Sequence, residues 1–399
     1  MLITASRVLT GSGTYLEDGA VLVVGDSIAA VGPRAQLADR VGVGGVHRAF
    51  PDATVVPGLI DAHVHLAFDG GGDPVATLEE SSDETLLGDM RRRAEQLLSS
   101  GVTTVRDLGD RHGLVLRLDE EISRGRTPGP RIVSAGTPAT VPGGHCHFLG
   151  GEVSGVAEVR DLVRNNLAAG AGVIKAMVTG GGLTKDGPRS WQSQFSAQEL
   201  HALVDEAHRA GVPVAAHAHG SDGIAAAVEA GVDTIEHCTW MTGDGFDLRQ
   251  DVLKKIIDQG IAVCPAVSPH WQMLPRFFGE ERAQAMFALV REMAEAGAKL
   301  IAGTDAGVQR AGFDGLVPAL SFYAHLGLPS SRILDMATAD AAEALGLGGT
   351  TGRIAPGLRA DLLVVEGDPL DDLGALMAIR AVVTAGRVHE PGSPADKTR

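Results

Sequence analysis

The sequence predicts an α/β protein: a (β/α)8 TIM barrel carrying a small β-sandwich made from its two ends. Three observations carry that prediction. Eight short apolar runs alternate with amphipathic helical windows through the middle of the chain. Both ends read instead as short strands broken by turns. The side chains best suited to chemistry gather at the C-terminal ends of the apolar runs, where the βα loops of a barrel meet.

Residues 1–9, 20–24 and 27–31 are strand-like, separated by Gly-Asp and Gly-Pro breaks. The texture returns at residues 361–366 and 378–385, around the turn residues Gly367, Asp368 and Pro369. Neither end holds enough strands for its own core, so the two are expected to pack together. The expected units are residues 1–56 with 353–399 for the composite sandwich and 57–352 for the barrel. Within the barrel the apolar runs are 55–60, 102–107, 131–135, 173–179, 214–219, 234–237, 262–266 and 300–305. The helical window 196–210 opens with Ser196, places Glu199 three residues later and carries apolar residues at helical spacing. A doubly wound open sheet is the alternative, because strand count alone does not show closure. Residues 393–399 read as a frayed tail.

The 399 residues, 44% of them apolar, suffice for one large domain and an appendage. With 34 basic and 50 acidic residues the net charge is −16, which opposes attraction to nucleic acid or an anionic membrane. The three cysteines, Cys146, Cys238 and Cys264, are too few and too far apart for a disulfide framework or a Cys-x-x-Cys metal knuckle, as in a reducing compartment. No basic start leads into an apolar run, and no stretch of about 18 apolar residues occurs. The expectation is a cytoplasmic protein acting on a small molecule, with neither nucleic acid nor membrane as partner; a homo-oligomer is compatible with the fold.

His63 and His65, two apart at the end of the first run, project from one strand face, a spacing that suits a divalent metal or a hydrogen-bonded pair. Lys175 is one of only six lysines and lies in the apolar run 173–179. An ammonium buried there costs several kcal/mol unless it is paired, for instance with Asp107, or deprotonated. A neutral amine adds CO2 to become a carbamate, an anion able to bridge two metals. His217, His237 and Asp305 fall at or near the ends of three further runs, and their joint occurrence favours ligation over packing. His219 shares a face with His217 and reads as an alternative ligand, a substrate contact or a brace behind the ligands. Asp61 reads as another brace. The glycine-rich loop 137–153 offers His145 and His147 as donors to a substrate. Arg106, Arg189, Trp191 and Trp271 are equal candidates for a substrate carboxylate or ring. No Gly-x-Ser-x-Gly, His-Glu-x-x-His or Gly-x-Gly-x-x-Gly pattern is present.

The segment Val56-Pro57-Gly58-Leu59-Ile60-Asp61-Ala62-His63-Val64-His65 and the closing Gly352-Arg353-Ile354-Ala355-Pro356-Gly357-Leu358-Arg359-Ala360-Asp361-Leu362 resemble the amidohydrolase superfamily of metal-dependent barrel hydrolases, over nearly the whole chain. Lys175-Ala-Met-Val-Thr-Gly-Gly and His217-Ala-His-Gly are similar to its imidazolonepropionase-related, prolidase-like branch, which includes Xaa-Pro and Xaa-Arg dipeptidases and ochratoxin-hydrolysing amidases. The resemblance implies two divalent metal ions, most simply Zn2+. It places His63, His65 and Asp305 on one, His217 and His237 on the other, and carboxylated Lys175 between them. It further implies a dipeptidase-like amidohydrolase cleaving the C–N bond of a dipeptide or N-acyl amino acid by attack of a metal-bridging hydroxide, with Asp305 moving the proton. A single-metal cyclic-amide hydrolase or deaminase, and a non-catalytic scaffold, are the other readings.

Overall fold

The computed structural model describes residues 1–11, 13–42 and 44–390; the tail read at 393–399 lies outside them. In chain order the strands are β1 Leu2–Gly11, β2 Thr14–Val24, β3 Ser27–Pro33, β4 His47–Pro57, β5 Leu59–Val64, β6 Val102–Asp107, β7 Arg131–Ser134, β8 Ile174–Met177, β9 Val214–Gly220, β10 Thr234–Met241, β11 Ala262–Cys264, β12 Lys299–Leu300, β13 Leu362–Glu366, β14 Ile379–Thr384 and β15 Arg387–His389.

The two ends of the chain meet through β4 and β13, which pair antiparallel with Val56 opposite Leu363 and Val55 opposite Val364. They belong to one seven-stranded sheet ordered β15-β14-β13-β4-β1-β2-β3, so hydrogen bonding makes a single sheet where the sequence suggested a two-sheet sandwich. Side chains alternate across it. Val55, Leu362 and Val364 join one apolar cluster with Ile3, Val8 and Val383, while Val56, Leu363 and Val365 face the main core with Val102 and Leu98. Burial on both faces explains why residues 362–365 are apolar without a break. The first half of β4 escaped the sequence reading because it contains Pro51, which cannot donate to a ladder. Its register with β1 shifts between Ala5 and Arg7, which lie opposite Phe50 and Thr54 on either side of that proline.

The run 55–60 is two strands, ending β4 and beginning β5. Gly58 turns between them, and a Cβ there would overlap the Thr103 side chain. From β5 onward strands alternate with helices, in parallel sheets ordered β5-β6-β7 and β12-β11-β10-β9-β8. Single backbone bonds join the two sheets at both edges. At one, Gly172 N–H donates to Ser134 O (2.9 Å) and Ala139 N–H to Lys175 O (2.8 Å); at the other, Ala62 N–H donates to Ala302 O (2.9 Å) and Asp305 N–H to His63 O (2.8 Å). The helix Ala197–Arg209 starts as its sequence requires: Ser196 Oγ accepts from Glu199 N–H, and Glu199 accepts from Ser196 N–H. Among the described residues no helix is long and apolar enough to cross a membrane.

Two carboxyl groups are buried at and just past the end of β6. Burial and the neighbouring Asp110 push Asp107 up to about 8, and burial pushes Asp110 up to about 7. Asp110 Oδ2 accepts from Val115 N–H (2.7 Å) in the first turn of the helix Leu114–Ser123, while its Oδ1 has no partner. Because the folded-state value is raised, the folded protein holds a proton that the unfolded chain releases. The associated stability is complete below about pH 4 and is lost as pH rises through about 7. The Asp110 contribution to stability in urea unfolding is therefore expected to fall from pH 5 to 8, by no more than about 1.4 kcal/mol per pH unit. Asp110→Asn, which keeps an acceptor for Val115 without titrating, should flatten that fall; an unchanged slope would refute the assignment.

Candidate metal centre

His63 sits one residue before the end of β5 and His65 one residue past it. His63 donates from Nδ1 to Glu236 Oε2 (2.9 Å), which leaves the Nε2 lone pair 3.3 Å from Asp305 Oδ1. His65 Nε2 is 3.4 Å from the same oxygen, and its Nδ1 faces the Gly109 carbonyl at 3.4 Å. Two imidazole lone pairs aimed at one carboxylate oxygen are three acceptors facing each other, an arrangement that requires a cation or a proton between them. Burial and the charge of Lys175 oppose a proton on His63, but Asp305 and Glu236 together raise the His63 pKa above its ordinary value. Burial lowers His65 to about 3. Burial also works against the Asp305 carboxylate, yet His63, His65 and Lys175 hold it well below the usual carboxylate range.

Across the cavity stand His217 and His219 on β9 and His237 on β10. The ligand atoms of these three lie within 4.8 Å of one another, as do those of His63, His237 and Asp305. His219 thus joins His217 and His237 directly, stacked on the His237 ring at 4.5 Å, with its Nδ1 beside Thr239 Oγ1 (2.9 Å). His217 Nε2 donates to Gly180 O (3.0 Å), leaving Nδ1 as its free lone pair. Burial, reinforced by neighbouring imidazoles, drives His217 and His237 far below the ordinary value, and burial lowers His219 to about 4. These rings are neutral and available to a metal. His237 and Asp305 carry left-handed backbone, φ 67° and 59°, which costs an L-residue roughly 1–2 kcal/mol and is tolerated where the fold over-determines it.

Lys175, on β8, is 1% exposed. Its Nζ has no hydrogen-bond partner, and burial lowers its pKa to about 8. It does not pair with Asp107, whose oxygens accept from Leu66 N–H (2.7 Å) and Gly109 N–H (3.1 Å). Lys175, His63, His65, His217, His237 and Asp305 all line one cavity of about 440 Å3. His145 lines it as well, its ring 4.6 Å from that of His217 and its Nδ1 3.3 Å from Thr184 Oγ1. His147 does not; it faces a neighbouring cavity with Asp73 and Lys185. An ammonium without a partner beside neutral imidazoles and an ionised carboxylate is a donor set that fits divalent metal with a carboxylated lysine.

The amidohydrolase family profile matches residues 54–389. The chain belongs to the amidohydrolase family. Ochratoxinase of Aspergillus niger is 28% identical, over 96% of this chain and 84% of that protein. Imidazolonepropionase of Paracoccus denitrificans is 28% identical over 88% and 89%. Among solved structures, a Xaa-Pro dipeptidase with bound methionine in its active site matches with a TM-score of 0.84 and 28% identity, over 98% of this chain and 99% of that one. The chain is thus a hydrolase of amide C–N bonds with a TIM-barrel-type fold, similar to prolidase-like and ochratoxinase-like amidohydrolases.

Behind the imidazoles of this amidohydrolase lies a charge network that sequence reading missed. Glu236, fully buried on β10, holds His63 through Oε2, while Oε1 accepts from Arg106 Nη2 (2.6 Å) and Thr234 Oγ1 (2.6 Å). Arg106 also donates to Ala62 O (2.8 Å) and Thr234 Oγ1 (2.8 Å), so it is sealed away from substrate. Burial opposes the Glu236 charge, but Arg106 and His63 keep the carboxyl ionised, far below its ordinary range. A glutamate inside an apolar strand, one residue before His237, was the available signal. Asp61 braces the opposite side: Oδ1 accepts from His63 N–H (3.2 Å) and Thr304 N–H (3.1 Å), and Oδ2 from Thr304 Oγ1 (2.6 Å). Of the other candidates, Arg189 is exposed, Trp191 is 38% exposed, and Trp271 lines an adjoining apolar pocket. Glu236→Gln should weaken zinc affinity about 10–100-fold, measured by chelator competition, because His63 loses the charge that orients it. Unaltered affinity in a folded variant would remove Glu236 from this role.

Proposed function

We propose that the protein is a two-metal amidohydrolase that cleaves the peptide-like bond of a small molecule such as a dipeptide or an N-acyl amino acid. Zinc is the most suitable ion for an imidazole-rich set of this kind. The observation that carries the reading is the orphaned Lys175 Nζ in the wall of a cavity ringed by neutral imidazoles and Asp305. Its support on the scale of the fold is the pair of edges at which backbone bonds join β7 to β8 and β5 to the segment after β12, read here as one closed barrel. We place the barrel at residues 57–352 and the terminal sheet unit at 1–56 with 353–399.

His63, His65 and Asp305 would hold one ion and His217 and His237 the other, with His219 beside the second pair. Bound divalent ions supply a water of lowered pKa and polarise the scissile carbonyl. The Lys175 ammonium would first give one proton to water; the neutral amine would then add CO2 through a new N–C bond and release a second proton to water, so that a buried cation becomes a carbamate between the two ligand groups. Asp305, ionised in the resting site, takes up a proton on a carboxylate oxygen and returns it to the leaving nitrogen. His145, neutral and held by Thr184, donates to the substrate carbonyl.

Zinc-loaded protein prepared in bicarbonate is expected to hydrolyse members of a dipeptide and N-acyl amino acid library, and no turnover of any amide would overturn the reading. Asp305→Asn should retain zinc and lose at least about 100-fold in kcat. With 13C-bicarbonate the wild type should give a carbamate carbonyl resonance that Lys175→Ala lacks, together with about two zinc ions per chain. One ion per chain and no such resonance would instead support the single-metal reading.

A further inference from the structure

Beside the metal-binding cavity lies a second one of about 250 Å3. Val267, Trp271, Met286, Leu289 and Phe322 form its far walls, and among the described residues no aspartate, glutamate, lysine or arginine lines it. Its near wall is shared: His219, His237 and Phe278 line both cavities. The far wall is firm. Trp271 Nε1 donates to Ser321 Oγ (2.9 Å), and its ring packs edge-on against Phe322 (5.5 Å) and Phe287 (6.0 Å). Phe278 is the exception, 51% exposed at the mouth between the two spaces. A large aromatic side chain left exposed next to a mostly apolar recess marks a surface that a ligand covers. An apolar cavity of roughly 150 Å3 suffices for a benzene ring, so this one has room for a substituted ring or a branched alkyl chain. A charged group entering it would lose its hydration without gaining a partner.

We propose that this recess is the specificity pocket of the site, and that the substrate carries a large uncharged apolar group, an aromatic ring above all, next to the scissile amide. The inference rests on the amide-hydrolase reading for its chemistry. Phe278 closes over the ring, while His219 and His237 set the distance between the ring and the ligand cluster. Selectivity for bulk therefore comes from the segment after β11 and the helix Glu280–Glu295 that carries Met286 and Leu289, whereas the reacting groups come from the strands.

Zinc-loaded protein is assayed with two pairs of amides, N-acetyl-L-phenylalanine against N-acetyl-L-alanine and phenylacetylglycine against acetylglycine, which put the ring on the amine or the acyl side. In at least one pair kcat/KM should favour the ring by about tenfold or more. Val267→Trp, and the milder Leu289→Phe in case the first does not fold, should collapse that ratio towards one. A wild type that hydrolyses amides without preferring the ring, or a ratio that neither variant alters, overturns the pocket and leaves the amide-hydrolase reading standing. Calorimetry on the same protein with N-benzylacetamide and N-methylacetamide separates the opposite case. A benzyl preference in binding that Val267→Trp removes, with no amide turned over, supports the pocket and removes the amide-hydrolase reading. Equal binding of the two amides overturns the pocket.

Discussion

Lys175 brings an amine into a cavity wall where it has no hydrogen-bond partner, and the rest of the site is arranged around the cost of that burial. Desolvation, opposed by Glu236 and Asp305 and aided by Arg106, moves the amine towards neutrality. The same desolvation keeps His65, His145, His217, His219 and His237 uncharged, so the cavity concentrates lone pairs rather than protons. Against them stand two carboxylates that stay ionised, Asp305 in the cavity and Glu236 behind it. Arg106 offsets Glu236, and Asp305 and Glu236 together raise the pKa of His63, which lies between them.

The groups behind the cavity turn this balance into geometry. Glu236 is compensated by Arg106, which is 2% exposed and spends its donors on Glu236, Thr234 and the Ala62 carbonyl. Removing either partner would strand a buried charge, which typically costs 3–5 kcal/mol. On the other flank Asp61 binds Thr304 through both backbone and hydroxyl. β12 itself ends at Leu300: Ile301 N–H still donates to Val263 O (2.9 Å), but Ala302 N–H donates to Met336 O (2.9 Å), at the end of the helix Ser330–Met336, instead of to a strand. The chain then turns through left-handed backbone at Asp305, whose carboxylate faces the two histidines of β5.

Chemistry and recognition come from different parts of the chain. His63, His65, Lys175, His217, His219 and His237 stand on or just past β5, β8, β9 and β10, held by parallel ladders and buried apolar faces, and Asp305 follows the end of β12. The segment between β11 and β12, which includes Trp271, Phe278 and the helix Glu280–Glu295, builds the apolar recess. The terminal sheet takes no part in either, and its apolar outer row of Val56, Leu363 and Val365 docks it on the main core.

The alternation of apolar runs and helices, the meeting of the two chain ends, and the residues His63, His65, Lys175, His217, His237 and Asp305 were all legible in the sequence. Each is a local pattern: a strand period, a cap, or a polar residue where only apolar ones belong. Pro51 hid half of β4, because a proline that ends most strands here sits at a register shift between partners distant in sequence. His147 could not be told from His145 by spacing; a left-handed turn at Cys146 sends them into different cavities. Arg106 reads in sequence as a substrate contact, and only the fold reveals Glu236 130 residues away as its partner. The sequence by itself determined which polar side chains stand on or close after the apolar strands, since that follows from period and polarity. Tertiary structure decided which of them share a cavity, which are sealed behind it and where the apolar recess opens, because those depend on distances between elements that no local pattern records.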